Sequence, residues 1–174
     1  MIASNRTLVI TTLIAFAVLS RLIPHPPNFA AVGAVGLFAG ASLCNRRLSL
    51  LIPISAMLLS DLIIGFHWMC IVVYPAMALY VVAGWCAGHE INAERLIVAS
   101  LAGSLGFFIV TNFACWIAMY EKSWSGLATC YIAAIPFFQN TLASDFVYGT
   151  SLFVVLKALE LKVPSVRFQP SVRI

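Results

Sequence analysis

Residues 51–65 read LIPISAMLLSDLIIG, and residues 134–149 read AIPFFQNTLASDFVYG. Both stretches carry Ile-Pro, a short run, Ser-Asp, three apolar residues and Gly. Ser60-Asp61 and Ser144-Asp145 therefore sit in matching local surroundings, each inside a run apolar enough for a membrane. Whether two such carboxylates face one place depends on how the rest of the chain is threaded.

Composition settles the solvent. The 174 residues are 62% hydrophobic and 9% charged, with a mean hydropathy of +1.01. A water-soluble domain carries about 25% charged residues, so this chain reads as an all-α integral membrane protein. No linker, charge block or low-complexity stretch divides it, which predicts a single transmembrane domain over residues 1–174. The run from Leu8 to Ser20 ends in RLIPHPPN, which suits no signal-peptide cleavage site, and is expected to be a first span.

A membrane-crossing helix needs about 20 mostly apolar residues. Six candidates emerge, at about 8–23, 29–44, 48–66, 69–88, 96–119 and 137–160. The second is short and rich in glycine; the last is interrupted by Asn140 and Asp145. Lysine and arginine in the loops set orientation. With the N-terminus cytoplasmic, Arg6, Arg46, Arg47, Arg95, Lys157, Lys162, Arg167 and Arg173 fall inside. Only Arg21 and Lys122 fall outside, so the +4 net charge reflects topology and gives no sign of nucleic-acid binding. Both termini are expected to be cytoplasmic. The outer side then holds loops 21–28, 65–70 and 120–138, the third lying against the interface or folding over the bundle. On the inner side, His89, Glu90, Glu94 and Arg95 read as a solvated loop.

In this threading Asp61 and Asp145 share one depth in the outer half. Ionisable groups in a membrane usually face the bundle interior or a cavity, which predicts one outward-facing pocket; the plainer alternative is that each ties helices together. Other polar and aromatic residues gather at the same level. His25 and Asn28 lie among prolines that stiffen their loop. His67, Trp68, Cys70 and Tyr74 follow the third span. Asn112, Trp116 and Tyr120 recur every four residues, on one helix face. Gln139, Asn140 and Tyr148 accompany Asp145. The histidines also have the simpler role of bonding loop backbone.

Gly33, Gly36 and Gly40 let helices approach closely, either within the bundle or against another membrane subunit. Cysteines 44, 70, 86, 115 and 130 have no zinc spacing and read first as small buried hydrophobes. No HExxH, GxSxG or phosphate-binding loop occurs. The flanking motifs of aspartyl membrane proteases are also missing.

The stretch AAIPFFQNTLASD at 133–145, with six short spans and both ends inside, resembles the S components. These are the substrate-binding membrane subunits of energy-coupling-factor vitamin transporters. Ser144 stands where that family usually has glycine. RLIPHPPNFAAVGAVGLFAGA, AMLLSDLIIGFH, TNFACW and IPFFQNTLASD look more like the solitary branch that includes the cobalamin transporter family BtuM. The resemblance covers about residues 20–150.

It implies an S-component-like bundle in the bacterial cytoplasmic (inner) membrane. A vitamin, most plausibly cobalamin (vitamin B12), would be taken up from the outside as transported ligand, with no intrinsic cofactor. The expected substrate-binding set is His25, Asn28, Asp61, His67, Trp68, Tyr74, Asn112, Trp116, Tyr120, Asn140, Asp145 and Tyr148. The resemblance also implies a cysteine thiolate on cobalt, able to displace cyanide from cyanocobalamin. Thiolate is a soft ligand and needs partial exposure, which favours Cys70, with Cys130 second. The chain is expected to be primarily a transporter, with cysteine-dependent decyanation of cyanocobalamin as its one enzymatic possibility. It carries no ATPase motif, so energy would come from a separate energy-coupling ATPase module, or the chain would act alone. The rival expectations are a carrier of another small vitamin, an ion- or proton-coupled carrier using the two aspartates, and an interaction subunit without a pocket.

Overall fold

A computed structural model of the chain describes residues 2–88 and 92–162. His89 and Glu90 of the expected inner loop, and Arg167 and Arg173 of the tail, lie outside the described residues. Six helices make up the described part: α1 (Ile2–Leu22), α2 (Val32–Ser42), α3 (Arg46–Ile64), α4 (Cys70–Ala87), α5 (Ala93–Met119) and α6 (Trp124–Lys162). The all-α expectation holds. α3, α4 and α5 are long and apolar enough to cross a membrane.

Two elements depart from the expected spans. The helix within 29–44 is only the eleven residues of α2, about 17 Å at 1.5 Å per residue and so about half the hydrocarbon thickness. It is apolar all round, and every one of its residues is buried, as such a helix requires. α2 is the centre of the bundle, packed against α3, α4 and α6. The other departure is segment 120–138, expected to be a loop. From Trp124 it is helix, continuous with the last span for 39 residues. Ser123 starts it: its Oγ accepts from Gly126 N at 3.1 Å and its carbonyl accepts from Leu127 N. Pro136 sits inside this helix, where it removes one backbone bond without ending it.

The outward face suits lipid. Leu62, Ile63, Ile71, Ile132 and Val154 are each 60% or more exposed, a large apolar surface that water would penalise. The core gathers Leu13, Val35, Phe38, Ile52, Met57, Met77 and Tyr80. At one end of the bundle lie Arg46, Arg47 and the start of α5. There Trp85 Nε1 donates to Ser49 Oγ at 3.0 Å, and the Arg46 guanidinium stacks 5.2 Å from the Trp85 ring centre. The opposite end carries Arg21, His25, His67 and the turn into α6.

α3 begins with a side-chain cap. Asn45 Oδ1 accepts from Arg47 N at 3.0 Å and Leu48 N at 3.1 Å. Replacing Asn45 by alanine leaves both donors without that partner and is expected to cost about 1 kcal/mol. The check is the midpoint of reversible unfolding in mixed micelles.

The α2–α4 contact is the closest in the bundle. A Cβ placed on Gly40 would meet the Val81 carbonyl oxygen at 2.2 Å, and one on Gly84 would meet that of Leu37 at 2.2 Å. Gly36 faces Tyr80 and Pro53. The glycines of α2 are therefore spent on packing inside the chain, and this buried helix offers no face to another subunit.

Candidate polar cavity at the Arg21 end

The two Ser-Asp pairs have different partners. Asp61 is 1% exposed. Its Oδ1 lies 2.7 Å from Arg21 Nη1, and its Oδ2 accepts from Tyr74 OH at 2.7 Å. Cys70 Sγ points at the same oxygen from 3.6 Å. Arg21 Nη1 also reaches Ser60 Oγ and the Met57 carbonyl oxygen. A carboxylate in hydrocarbon surroundings is costly unless paired, and here Arg21 supplies the charge. The cluster ties α1, α3 and α4.

Asp145 is 2% exposed and has no cation beside it among the described residues. Its Oδ2 accepts two hydrogen bonds, from Tyr80 OH at 2.8 Å and from Ser104 Oγ at 2.6 Å. These tie α6 to α4 and α5. Its Oδ1 faces the bare backbone of Gly33, where an added Cβ would lie 2.6 Å away.

Between the two clusters is a cavity of about 230 Å³ whose walls come from every helix. Its polar lining includes Arg21, His25, Asn28, His67, Tyr80 and Asp145; Met57, Met77 and Phe107 supply apolar wall. A second cavity of about 190 Å³ shares Asn28, Val73, Phe107 and Thr141 with the first, and adds Asn112, Cys115 and Phe138. The segment over them is held by its own bonds. Ser20 Oγ accepts from Ala31 N at 3.0 Å, Asn140 Nδ2 donates to the Pro27 carbonyl at 3.0 Å, and Asn28 takes φ 63°. Non-glycine residues seldom adopt that backbone, asparagine being among the most tolerant.

Of the residues expected to bind substrate, His25, Asn28, His67 and Asp145 line the first cavity, and Asn28 and Asn112 the second. The others stand behind the walls or away from them. Asp61 holds Arg21, and Tyr74 holds Asp61. Asn140 fixes the Pro27 loop. Tyr148 packs edge-on against Phe16 and tilted against Phe29. Trp68 is half exposed. Trp116 Nε1 donates to the Glu121 carbonyl at 2.9 Å. Tyr120 lies past the end of α5, in extended backbone, so the four-residue spacing places only Asn112 and Trp116 on one helix face. Cys70 lines neither cavity and turns its thiol to Asp61. Cys130 is buried, its Sγ 3.4 Å from the Asn112 carbonyl oxygen.

Arg21, Tyr80 and Ser104 were not foreseen. The sequence places Arg21 only as an outer-loop charge. A buried aspartate with no local cation was the signal that one had to come from elsewhere in the chain.

Over residues 2–166 the sequence matches DUF6580, a family of unknown function. The chain belongs to that family. No curated protein and no solved structure matches it. The cavity geometry therefore carries the functional reading. Among the described residues no three His, Cys, Asp or Glu side chains group as a metal site.

Proposed function

We propose that the chain is a substrate-binding membrane transport protein that takes up a vitamin-sized, water-soluble molecule from outside a bacterial cytoplasmic membrane. In this reading all six helices are embedded as an S-component-like bundle, both termini are cytoplasmic, and the Arg21 end faces outward. One observation carries it. A lipid-facing, overwhelmingly apolar bundle encloses a cavity lined by Arg21, His25, Asn28, His67 and Asp145. Buried polar groups are costly in a bilayer, and a concave site with a few convergent polar groups among apolar walls is how small molecules are bound.

The two adjoining cavities measure about 230 and 190 Å³, each below the range of typical ligand sites, about 300–1,000 Å³. Cobalamin outsizes them, so its binding requires segments 23–31 and 65–69 to part. Cobalt ligation by Cys70, and cyanide displacement, further require its thiol to leave Asp61. Movement of solutes through the bilayer needs an energy source, either a separate ATPase module or the solute's own gradient.

The test is thermal unfolding of the purified full-length chain in lipid nanodiscs against a panel of vitamins that includes cyano- and hydroxocobalamin. A ligand at a hundred times its Kd adds about 2.7 kcal/mol, readily seen as a raised midpoint. A panel without any shift overturns the reading. If hydroxocobalamin shifts the midpoint, Cys70→Ala is expected to abolish the change in its visible spectrum while leaving binding measurable. A spectral change in that variant as large as the wild type's moves the ligand to Cys130.

A further inference from the structure

We propose that the molecule taken into the Arg21-end cavity is an organic cation, its charged nitrogen seated against Asp145 Oδ1. This rests on the cavity being the substrate site and names the chemistry of that substrate.

The charges around the cavity do not balance. Arg21 is matched by Asp61 at 2.7 Å. Among the described residues no cation matches Asp145: its partners, Tyr80 and Ser104, are neutral hydroxyls, and both bond Oδ2. Oδ1 accepts no hydrogen bond from any described residue, although the side chain is 98% buried and lines the cavity. An ionised carboxylate at this depth is incomplete by one positive charge, and a ligand that brings it gains most from the low-dielectric surroundings.

The neighbouring groups fit the same ligand. The Tyr80 and Phe107 rings both line the cavity, with centres 6.0 Å apart, and ring faces attract cations within about 6 Å. His25 Nδ1 contacts the Pro26 carbonyl oxygen at 2.7 Å. A carbonyl can only accept, so that nitrogen carries the proton, and in the neutral ring Nε2 is left as an acceptor. Asp145 Oδ1 asks the ligand for a donor or positive charge. Gly33 lets Asp145 Oδ1 and the Tyr80 ring pack directly on its backbone, since any side chain there would collide with both.

The experiment uses three probes of nearly one shape and three charges: 1-methylnicotinamide (cation), nicotinamide (neutral) and nicotinate (anion). Each is titrated into the full-length chain in nanodiscs and followed by calorimetry and by the unfolding midpoint. Expected is binding of the cation at least tenfold tighter than of nicotinamide, with nicotinate weakest. Asp145→Asn is expected to erase that preference while the helical circular dichroism stays intact. The wild-type series decides the question by itself if the variant does not fold. Equal or tighter binding of the neutral or anionic probe overturns the cation assignment and leaves the transport reading standing. So does stabilisation of the wild type by sodium over potassium, lost in Asp145→Asn, because it would give the site to an inorganic ion. Failure of these probes and of the whole vitamin panel overturns both.

Discussion

Arg21→Ala is expected to destabilise the fold by about 3–5 kcal/mol, the cost of leaving one partner of a buried ion pair without the other. An exposed pair contributes only about 0–1 kcal/mol, so the location of this one sets the size of the effect. Asp61 is 1% exposed and the Arg21 side chain 15%. Both are held in place by further bonds from Tyr74 and to Met57. Without Arg21, Asp61 keeps only the Tyr74 hydroxyl and the weak thiol of Cys70. The measurement is the unfolding midpoint in mixed micelles, for the single variant and for the triple change Arg21→Met, Asp61→Leu, Tyr74→Phe. The triple change removes the charges and the hydroxyl together and is expected to recover most of the loss, since replacing a buried pair with packed apolar side chains is often neutral or better. A loss below 1 kcal/mol for Arg21→Ala would show the pair to be in water, and the Arg21 end would then not be membrane-embedded.

The same pair shows how far the sequence could be read. Ser60-Asp61 and Ser144-Asp145 look alike locally, yet Asp61 bonds Arg21, Cys70 and Tyr74 at the end of the bundle, whereas Asp145 bonds Tyr80 and Ser104 in the middle of α4 and α5. Their difference does not show locally. Asp61 is neutralised by a residue 40 positions earlier, on another helix, whereas Asp145 is hydrogen-bonded by neutral hydroxyls on α4 and α5 that leave its charge unmatched. One aspartate thus became a wall support and the other a wall. Partner choice is a tertiary property, invisible to periodicity. Hydropathy found the apolar runs but not the length of α2, whose end is set by the extended backbone at Leu43. It also missed the first part of α6, because Trp124–Pro136 mixes polar and apolar residues and Pro136 reads as a boundary. Of the site, the loop histidines and Asn28 were legible because prolines and two short turns confine them to one end. Tyr80 was not, being one apolar-looking residue in the middle of a span.

Tyr80 also connects the tightest packing in the bundle to the cavity, and that sets the second large effect. Gly40→Ala and Gly84→Ala are each expected to cost about 1–3 kcal/mol through overpacking, toward the upper end. In both, the added carbon falls 2.2 Å from a backbone carbonyl oxygen, which cannot rotate aside as a side chain would, so α2 and α4 must separate. Gly149→Ala is the control: its Cβ would lie 3.9 Å from the nearest atom, the end of the Leu96 side chain. Relief of the glycine penalty in a helix, about 1 kcal/mol, makes that change neutral or stabilising. Unfolding midpoints for the three variants give the comparison. Separation of α2 from α4 also carries Tyr80 away from Gly33, loosening its bond to Asp145 and widening the cavity at its charged wall. Gly40→Ala protein that still folds is therefore expected to lose ligand affinity as well as stability, whereas Gly149→Ala keeps both. Equal affinity in the two variants would show that the α2–α4 contact holds the bundle together without shaping the site.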